Sequence, residues 1–274
     1  MSKISILGCG WLGLPLAKKL IENGHSVNGS TTSENKLSVL KDAGINPFLV
    51  VLESESVSEN IADFLAESEI LIIDIPPKLR GNNSDSSNSS RKIFVEKIQT
   101  LIPFIEQSTI KKVLFVSSTS VYGDDNEWVT EKTIPNPETE SGKQLLLAEA
   151  ILQKNKNFET TILRFGGLIG EDRHPVKFLA GKENLENPDA PVNLIHQNDC
   201  VRIIEEIINQ SKWNEVFNAV APFHPTREEY YTQKAKLQNL DLPRFNFEKS
   251  NVKKTISSEK VESDLNFQFT LDKY

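Results

Sequence analysis

A glycine-rich segment near the N-terminus has the residue types and the spacing that bind a dinucleotide phosphate. It reads Gly8-Cys9-Gly10-Trp11-Leu12-Gly13 and directly follows an apolar run that predicts a strand. In this G-x-G-x-x-G pattern the first glycine permits a tight turn, the second lets the backbone approach the pyrophosphate, and the third lets the following helix pack near the strand. The N–H groups and the dipole of that helix favour phosphate charge. We therefore predict that an NAD(P) pyrophosphate binds at Gly8, Gly10, Trp11, Leu12 and Gly13; the alternative is a glycine-rich turn without a ligand.

The end of the second predicted strand bears on which dinucleotide binds. An NAD- or FAD-binding unit usually carries Asp or Glu there for the ribose hydroxyls. Here the segment reads Gly29-Ser30-Thr31-Thr32-Ser33, and the first acid is Glu34. The hydroxyls of Thr31 and Thr32 could bond a 2′-phosphate, and Lys36 could add positive charge. NADP is therefore favoured over NAD, although the lack of an arginine leaves NAD open, and FAD and an adenosyl cofactor are disfavoured.

A run of hydroxyl residues marks a second candidate site. Ser117-Ser118-Thr119-Ser120-Val121-Tyr122-Gly123 follows a buried strand, and ligands of open α/β sheets gather at the carboxyl ends of strands. A hydroxyl there could polarise a substrate carbonyl or hydroxyl. Farther along the chain, Arg173 could hold an anionic substrate, and His174 could donate a proton because histidine titrates near neutral pH. The alternative for His174 is an ordinary loop residue.

These motifs resemble those of the extended short-chain dehydrogenase/reductase family, which contains the NAD-dependent epimerases and dehydratases. Its members carry a similar Ser-Ser-x-x-Val-Tyr-Gly segment after the fifth strand, and Ile75-Pro76-Pro77 also has a counterpart at similar spacing. The resemblance covers nearly the whole chain. It implies that Ser118 touches the substrate, that Ser117 lies near the nicotinamide and that Pro76 belongs to the cofactor site.

The chain departs from the family at the catalytic pair, a Tyr followed four residues later by a Lys that lowers the Tyr pKa. Aligning on Lys143 puts Thr139 at the Tyr position. Aligning on Glu149 puts Ser141 at the Tyr position and Leu145 at the Lys position. In either alignment the Tyr is absent, as in the atypical branch of the family.

Other side chains could replace the missing acid, but each also has a structural interpretation. Tyr122 is the candidate catalytic acid, although its family counterpart usually packs within the turn. Lys143 fits a solvated helix lysine, and Asp199 fits the N-cap of a helix that begins at Cys200. The polar stretch over residues 81–90 is either a lid at the site or an insertion without a role.

The elements that carry these residues alternate between strand and helix. Strands are predicted over residues 3–7, 25–30, 47–52, 69–75, 112–116, 160–164, 191–195 and 215–220, and helices over 14–22, 35–42, 57–66, 91–107, 141–154, 199–211 and 226–238. Near-continuous apolar strands are typical of parallel sheets covered on both faces. We therefore predict an α/β fold with a Rossmann-type doubly wound parallel sheet and a smaller C-terminal lobe that faces the substrate. Residues 1–165 form the NAD(P)-binding domain, and residues 166–274 form the lobe interleaved with it.

Composition narrows the class of function. The net charge is -7 and no basic cluster exceeds a Lys pair, so we expect no nucleic-acid partner. Cys9 and Cys200 lie outside any Cys/His cluster, so we expect neither a metal site nor a disulfide framework. No apolar stretch reaches the roughly 20 residues of a membrane helix, and no signal-peptide pattern is present. We expect a cytoplasmic protein without a membrane partner.

Two functions fit these observations. The first is an NAD(P)-dependent oxidoreductase, epimerase or dehydratase that acts on a small polar substrate such as a nucleotide sugar, with Ser118 orienting the reacting oxygen. The second is a catalytically inactive NAD(P)-binding sensor or scaffold protein. The missing Tyr/Lys pair favours the second. The segments 163–170, 193–199 and 256–260, which also have family counterparts at similar spacing, favour the enzyme, which we prefer. The resemblance also implies a homodimer formed through the helices at 91–107 and 141–154.

Overall fold

A computed structural model describes residues 1–77, 93–124, 127–248, 252–271 and 274. Its strands are β1 (Lys3–Leu7), β2 (Ser26–Thr31), β3 (Asn46–Leu49), β4 (Ile70–Ile73), β5 (Lys112–Ser118), β6 (Trp128–Val129), β7 (Glu159–Phe165), β8 (Gly167–Ile169), β9 (Leu194–His196), β10 (Val216–Ala219) and β11 (Thr255–Ile256). Its α-helices are α1 (Gly13–Glu22), α2 (Leu37–Asp42), α3 (Ile61–Leu65), α4 (Ile93–Gln107), α5 (Glu140–Lys154), α6 (Val176–Leu179), α7 (Gln197–Asn209), α8 (Arg227–Leu237) and α9 (Glu259–Asp264). Short 3-10 helices cover Glu34–Lys36 and Thr119–Val121.

The central sheet has seven strands in the order β10-β7-β5-β4-β1-β2-β3. Every pair of neighbours is parallel, and Ile4 of β1 lies between Val27 of β2 and Ile70 of β4. The strand order reverses direction between β1 and β4, which is the switch point where doubly wound sheets bind ligands beyond the carboxyl ends of the strands. The predicted Rossmann-type parallel sheet is confirmed.

Helices cover both faces of the sheet because its strands are apolar on both. Along β4, Ile70 and Ile72 belong to one buried cluster, whereas Leu71 and Ile73 belong to another. The first cluster packs beneath α1 and α7, and the second packs beneath α3, α4 and α5. Alternate side chains of one strand therefore hold two layers of helices, as expected for a strand buried on both sides.

A third apolar cluster lies in the C-terminal part of the chain. It includes Ile169 after β7, Val192 before β9, and Tyr230 of α8. However, α7 and β10, which also follow residue 165, complete the core and the edge of the central sheet. The chain beyond residue 165 thus contributes to both the sheet and the lobe, and the division at residues 165 and 166 stays a prediction.

Several elements of the structure differ from those predicted. The helix predicted over 57–66 is confined to Ile61–Leu65, because Val57 forms an antiparallel bridge with Leu52. The strands β6, β8 and β11, with three residues or fewer, were not predicted and exist through long-range pairing. The stretch 81–90 lies outside the described residues. Within the described part of the chain, none of the helices has the length and hydropathy needed to span a bilayer.

Candidate functional site

The glycine loop adopts a conformation that only glycine can supply at its first position. Gly8 has φ +106°, and a Cβ at Gly8 would lie 2.3 Å from the carbonyl oxygen of Asp74. The Gly8 N–H donates to Ser30 Oγ at 2.9 Å, and the Gly10 N–H donates to the Gly8 carbonyl at 2.8 Å. The loop is therefore pinned to the ends of β2 and β4 at its start.

The other two glycines differ in the space around them. A Cβ at Gly13 would lie 2.2 Å from the Gly8 carbonyl oxygen, so α1 begins in direct contact with the loop. A Cβ at Gly10 would meet no atom within 4 Å. Leu12, the N-cap of α1, makes no side-chain capping bond, and the first turn has no acidic residue. Neither the N-cap nor the first turn therefore places a competing side chain at the N-terminus of α1, and the pyrophosphate site predicted there stays a prediction.

A cavity of about 530 Å³ opens at the switch point beside this loop. It is lined by the ends of β1, β2 and β4 and by the start of α4. Five residues predicted for cofactor binding lie together on its wall: Gly8, Gly10, Thr31, Thr32 and Pro76. The volume and the loop geometry suit the adenosine and pyrophosphate portion of a dinucleotide.

The charges in this cavity have a distinct arrangement. Lys36 and Lys97 line it, and Lys97 Nζ lies 3.7 Å from Glu53 Oε2. Among the described residues of the lining, Asp74 is the only carboxylate, and it follows β4 rather than β2. No acid therefore occupies the usual ribose position on the described wall, where Thr31 accepts a hydrogen bond from the Ser33 N–H at 3.2 Å.

Asp74 was not singled out by sequence reasoning. Burial raises the pKa of its carboxyl to about 8, and a hydrogen bond from the Gly13 backbone partly opposes that shift. The carboxyl therefore carries a proton over much of the neutral range, which lowers its repulsion of a pyrophosphate at the loop. The available signal was an acidic residue near the carboxyl end of the apolar strand predicted over 69–75.

Trp11 and Leu12 lie apart from this cavity. Leu12 is 3% exposed and belongs to the core, so it contributes its backbone to the loop. Trp11 lines a second cavity of about 760 Å³, which shares Cys9, Gly10 and Lys36 with the first. The glycine loop is thus a wall between the two cavities.

The two serines at the end of β5 have different surroundings. Ser117 is buried, and its Oγ donates to Glu149 Oε1 at 2.6 Å. Ser118 is partly exposed and caps the following 3-10 helix, because its Oγ accepts from the Ser120 N–H at 3.1 Å. Ser118 is therefore the more accessible hydroxyl at this end of the sheet, and the substrate role predicted for it stays a prediction.

Tyr122 lies in the core. It is 2% exposed, its Oη accepts from Arg164 Nη1 at 2.6 Å, and it donates to Asn218 Oδ1 at 2.9 Å. Burial is the largest influence on the Tyr122 hydroxyl and raises its pKa. This geometry favours the packing interpretation over the catalytic one, because a proton donor must reach the substrate.

Helix α5 distinguishes the two alignments of the missing catalytic pair. Gly142 packs against the Ser120 carbonyl, from which a Cβ would be 2.3 Å distant. Leu145 and Glu149 are buried on the inward side of α5, whereas Lys143 is exposed. The alignment on Glu149 therefore fits, with Ser141 at the Tyr position and Leu145 at the Lys position.

The predicted substrate ligands Arg173 and His174 both have partners within the chain. His174 Nδ1 accepts from the Val176 N–H at 3.1 Å, and Nε2 lies 3.0 Å from Tyr230 Oη. Burial lowers the pKa of His174 to about 4, so its ring is neutral at neutral pH. The guanidinium of Arg173 lies 5.0 Å from the centroid of the Trp11 ring. Their roles toward a substrate stay predictions.

The interpretation of Asp199 as a helix N-cap is wrong. His196 caps α7, because its Nδ1 accepts from the Asn198 N–H at 3.2 Å. Asp199 lies inside the first turn, is completely buried, and accepts hydrogen bonds from Arg202 and Thr270. The carboxylate thus joins α7 to the C-terminal segment, a contact that local sequence does not reveal.

Comparison with known proteins identifies the family. Residues 8–204 match a family described as NAD(P)H-binding. Protein YeeZ of Escherichia coli (strain K12) is 34% identical over 271 residues, which cover 98% of this chain and 96% of YeeZ. The chain belongs to the NAD(P)H-binding family.

Solved structures share the fold. A UDP-glucuronic acid 4-epimerase from Bacillus cereus, in complex with UDP-glucuronic acid and NAD, has a TM-score of 0.80 at 18% identity, over 98% of this chain and 94% of that one. MoeE5, in complex with UDP-glucose and NAD, has a TM-score of 0.77 at 18% identity, over 98% and 93%. The resemblance to the extended short-chain dehydrogenase/reductase family is confirmed at the level of the fold, as is the predicted NAD(P)-binding class.

Proposed function

We propose that this chain is an NADP-dependent oxidoreductase or epimerase that acts on a small polar substrate. The observation that carries the proposal is the cavity at the switch point, where the N-terminus of α1, whose N-cap Leu12 makes no side-chain capping bond, meets an open position at Gly10. This arrangement suits a dinucleotide whose pyrophosphate lies against the loop.

The preference for NADP rests on the β2 side of the cavity. The hydroxyl residues Thr31 and Thr32 line it together with Lys36, and an acid for the ribose 2′-hydroxyl is absent from the described lining at that strand end. A 2′-phosphate adds negative charge that a lysine ammonium attracts, whereas an acid at this position would repel it. NADP is thus the cofactor that these residues suit best.

The substrate side lies at the end of β5, where Ser118 would hold the reacting oxygen. NADP, when bound, supplies hydride exchange. The solved neighbours bind UDP-linked sugars, and a nucleotide sugar is therefore the first substrate class to test. A homodimer and a cytoplasmic location stay predictions.

A second function, an NAD(P)-binding sensor or scaffold without turnover, is supported by α5. Leu145, at the position of the family lysine, is 4% exposed in an apolar cluster and carries no charge for a cofactor ribose. Ser141 replaces the family tyrosine, and the hydroxyl of Tyr122 is already bonded to Arg164 and Asn218. These features weaken proton transfer without affecting the cavity that holds the adenosine half.

The first experiment is a titration with NADPH and with NADH that follows tryptophan fluorescence, because Trp11 lies within the loop. Gly10→Asp is the control: the side chain enters open space, so the protein should fold, but its carboxylate should repel the pyrophosphate. Binding that is lost in this variant supports the cofactor site. If neither cofactor binds the wild-type protein, the proposal is wrong.

Turnover separates the two functions. The absorbance of reduced nicotinamide is followed with a panel of UDP-sugars, and epimer formation is followed by chromatography. The enzyme hypothesis expects turnover that Ser118→Ala lowers, with NADPH affinity unchanged. Tight cofactor binding without turnover of any substrate in the panel would favour the sensor.

A further inference from the structure

The C-terminal part of the chain contributes a four-residue turn that contacts the glycine loop. Gly170 and Arg173 exchange two backbone hydrogen bonds, with N–O distances of 2.8 and 3.1 Å, and thereby close the turn directly after β8. The turn has its own internal bonds, so its conformation does not depend on the loop. It is therefore a preformed surface against which the loop can pack.

The indole of Trp11 uses this surface in three ways. Its Nε1–H donates to Asp172 Oδ1 at 2.9 Å, across 161 positions of sequence. The guanidinium of Arg173 lies over its ring at 5.0 Å, within the range of a cation–π contact. At Gly170 a Cβ would lie 2.8 Å from the ring, so the glycine allows the indole edge to approach the turn.

The backbone of Trp11 is held as well. Gln197 Nε2, at the first position of α7, donates to the Trp11 carbonyl oxygen at 2.6 Å. We call Gly170, Asp172, Arg173 and Gln197 the Trp11 clamp. The clamp fixes both the side chain and the main chain of a residue that lies between the second and the third glycine of the loop.

Fixing Trp11 matters because the surrounding loop has little conformational preference of its own. Glycine loses more backbone freedom on ordering than any other residue, and Gly8, Gly10 and Gly13 lie within six positions. A ligand that binds a loose loop must pay the cost of ordering it, whereas a loop held in advance binds with that cost removed. The start of the loop is held by Ser30, but its middle is held by the clamp.

We propose that the Trp11 clamp positions the glycine loop for the cofactor pyrophosphate, so that the C-terminal part of the chain sets cofactor affinity. The inference rests on the cofactor site of the proposed function. It gives Arg173 a role as a positioning residue on Trp11, which differs from the substrate-anion role predicted from sequence. Asp172 and Gln197 act in the same way, through Trp11 and without touching the cofactor.

The test compares two substitutions at Asp172, measured by NADPH titration in a calorimeter so that loss of an indole signal does not matter. Asp172→Ala removes the acceptor of the indole N–H and should weaken NADPH binding about fivefold, as expected for one lost hydrogen bond. Asp172→Asn keeps an acceptor oxygen and should bind as the wild-type protein does. Rescue by the amide shows that the hydrogen bond, and not the charge, is responsible.

Two further variants serve as controls. Glu171→Ala removes the neighbouring carboxylate, which is also exposed, and should leave NADPH affinity unchanged. Thr226→Ala removes the capping box of α8, which should lower the melting temperature without changing NADPH affinity. Thermal unfolding without cofactor compares the stability lost in Thr226→Ala with the stability lost in Asp172→Ala.

Weaker binding in Asp172→Ala alone supports the clamp. Equal NADPH affinities for Asp172→Ala and the wild-type protein overturn it. Equal losses of NADPH affinity in Asp172→Ala and Thr226→Ala also overturn it, because affinity would then follow global stability. If the wild-type protein binds neither NADPH nor NADH, the cofactor site and the clamp both fail. The failure of the inference alone is thus distinct from failure of the proposed function.

Discussion

Glu149 and Arg164 form a bidentate ion pair inside the core, beneath the end of β5. Arg164 Nη2 donates to Glu149 Oε2 at 2.5 Å, and Nε donates to Oε1 at 3.1 Å. Both side chains are at least 94% buried, and the pair also holds Ser117 and Tyr122 through hydrogen bonds. The hydrogen bonds of Ser117 and Tyr122 at the candidate substrate site therefore depend on a buried carboxylate and a buried guanidinium whose charges compensate each other.

The first prediction follows from that compensation. Glu149→Gln leaves the Arg164 guanidinium buried with no opposing charge, so it should lower the free energy of unfolding by about 3 kcal/mol. Urea denaturation at neutral pH measures the loss. The matched control is Glu127→Gln, in an exposed pair with Lys253 at 3.5 Å, and there the change should stay below about 1 kcal/mol. Similar losses in the two variants would contradict the prediction.

The second prediction compares two glycines of the same loop. Gly8→Ala should destabilise the protein by more than about 1 kcal/mol, because its positive φ and the nearby Asp74 carbonyl oppose a Cβ. Gly10→Ala should leave the melting temperature unchanged, since its Cβ enters open space. It should weaken NADPH binding, because we propose that the pyrophosphate binds in that space. Thermal scans and titrations test both variants, and unchanged affinity in Gly10→Ala would argue against the assigned pyrophosphate position.

The third prediction concerns cofactor choice. Lys36→Gln should weaken NADPH binding roughly tenfold and leave NADH binding nearly unchanged, because only the former carries the 2′-phosphate. Titration of both cofactors gives the ratio of affinities. Lys41→Gln, an exposed lysine of α2 outside the cavity lining, is the control and should change neither affinity. Equal losses for both cofactors in Lys36→Gln would remove the basis for an NADP preference at this residue.

The fourth prediction concerns pH and Asp74. Its pKa rises from 3.8 to about 8 on folding, mainly through burial, so between these values the folded protein binds a proton that the unfolded chain releases. The wild-type protein should therefore lose stability relative to Asp74→Asn as pH rises from about 4 to about 8, by at most about 1.4 kcal/mol per pH unit. Above that range the deprotonated carboxylate should also weaken NADPH binding. Parallel stability curves for the two proteins from pH 4 to pH 8 would contradict the assigned protonation.

The fold and the conformation of the glycine loop were predictable because their signals are local. The six residues from Gly8 to Gly13 carry the turn, the close approach and the helix start within one motif. The apolar run of β4 predicts a strand covered on both faces, and the structure buries all four of its residues. Strand and helix periodicity likewise placed α5 and β7 within one residue of their observed ends.

The candidate substrate side was less predictable, because its residues are defined by partners far away in sequence. The sequence makes Tyr122 a candidate acid. In the structure its hydroxyl is hydrogen-bonded to Arg164 of β7 and to Asn218 of β10. The sequence left open which residue of α5 stands at the position of the family tyrosine, and the burial of Leu145 and Glu149 favours Ser141. The surroundings of Tyr122 and the inward face of α5 depend on packing against the sheet, which the spacing of apolar residues does not reveal.

The sequence by itself determined the order of elements, the parallel sheet and the glycine loop, since backbone conformation and apolar periodicity depend on neighbouring residues. The tertiary structure alone decided that Asp74 lies at that loop and that Asp172 bonds Trp11 across 161 positions. Contacts of this kind depend on how α7, β8 and the central sheet pack together. Their free energy is gained only when the whole chain has folded, and no local pattern encodes it.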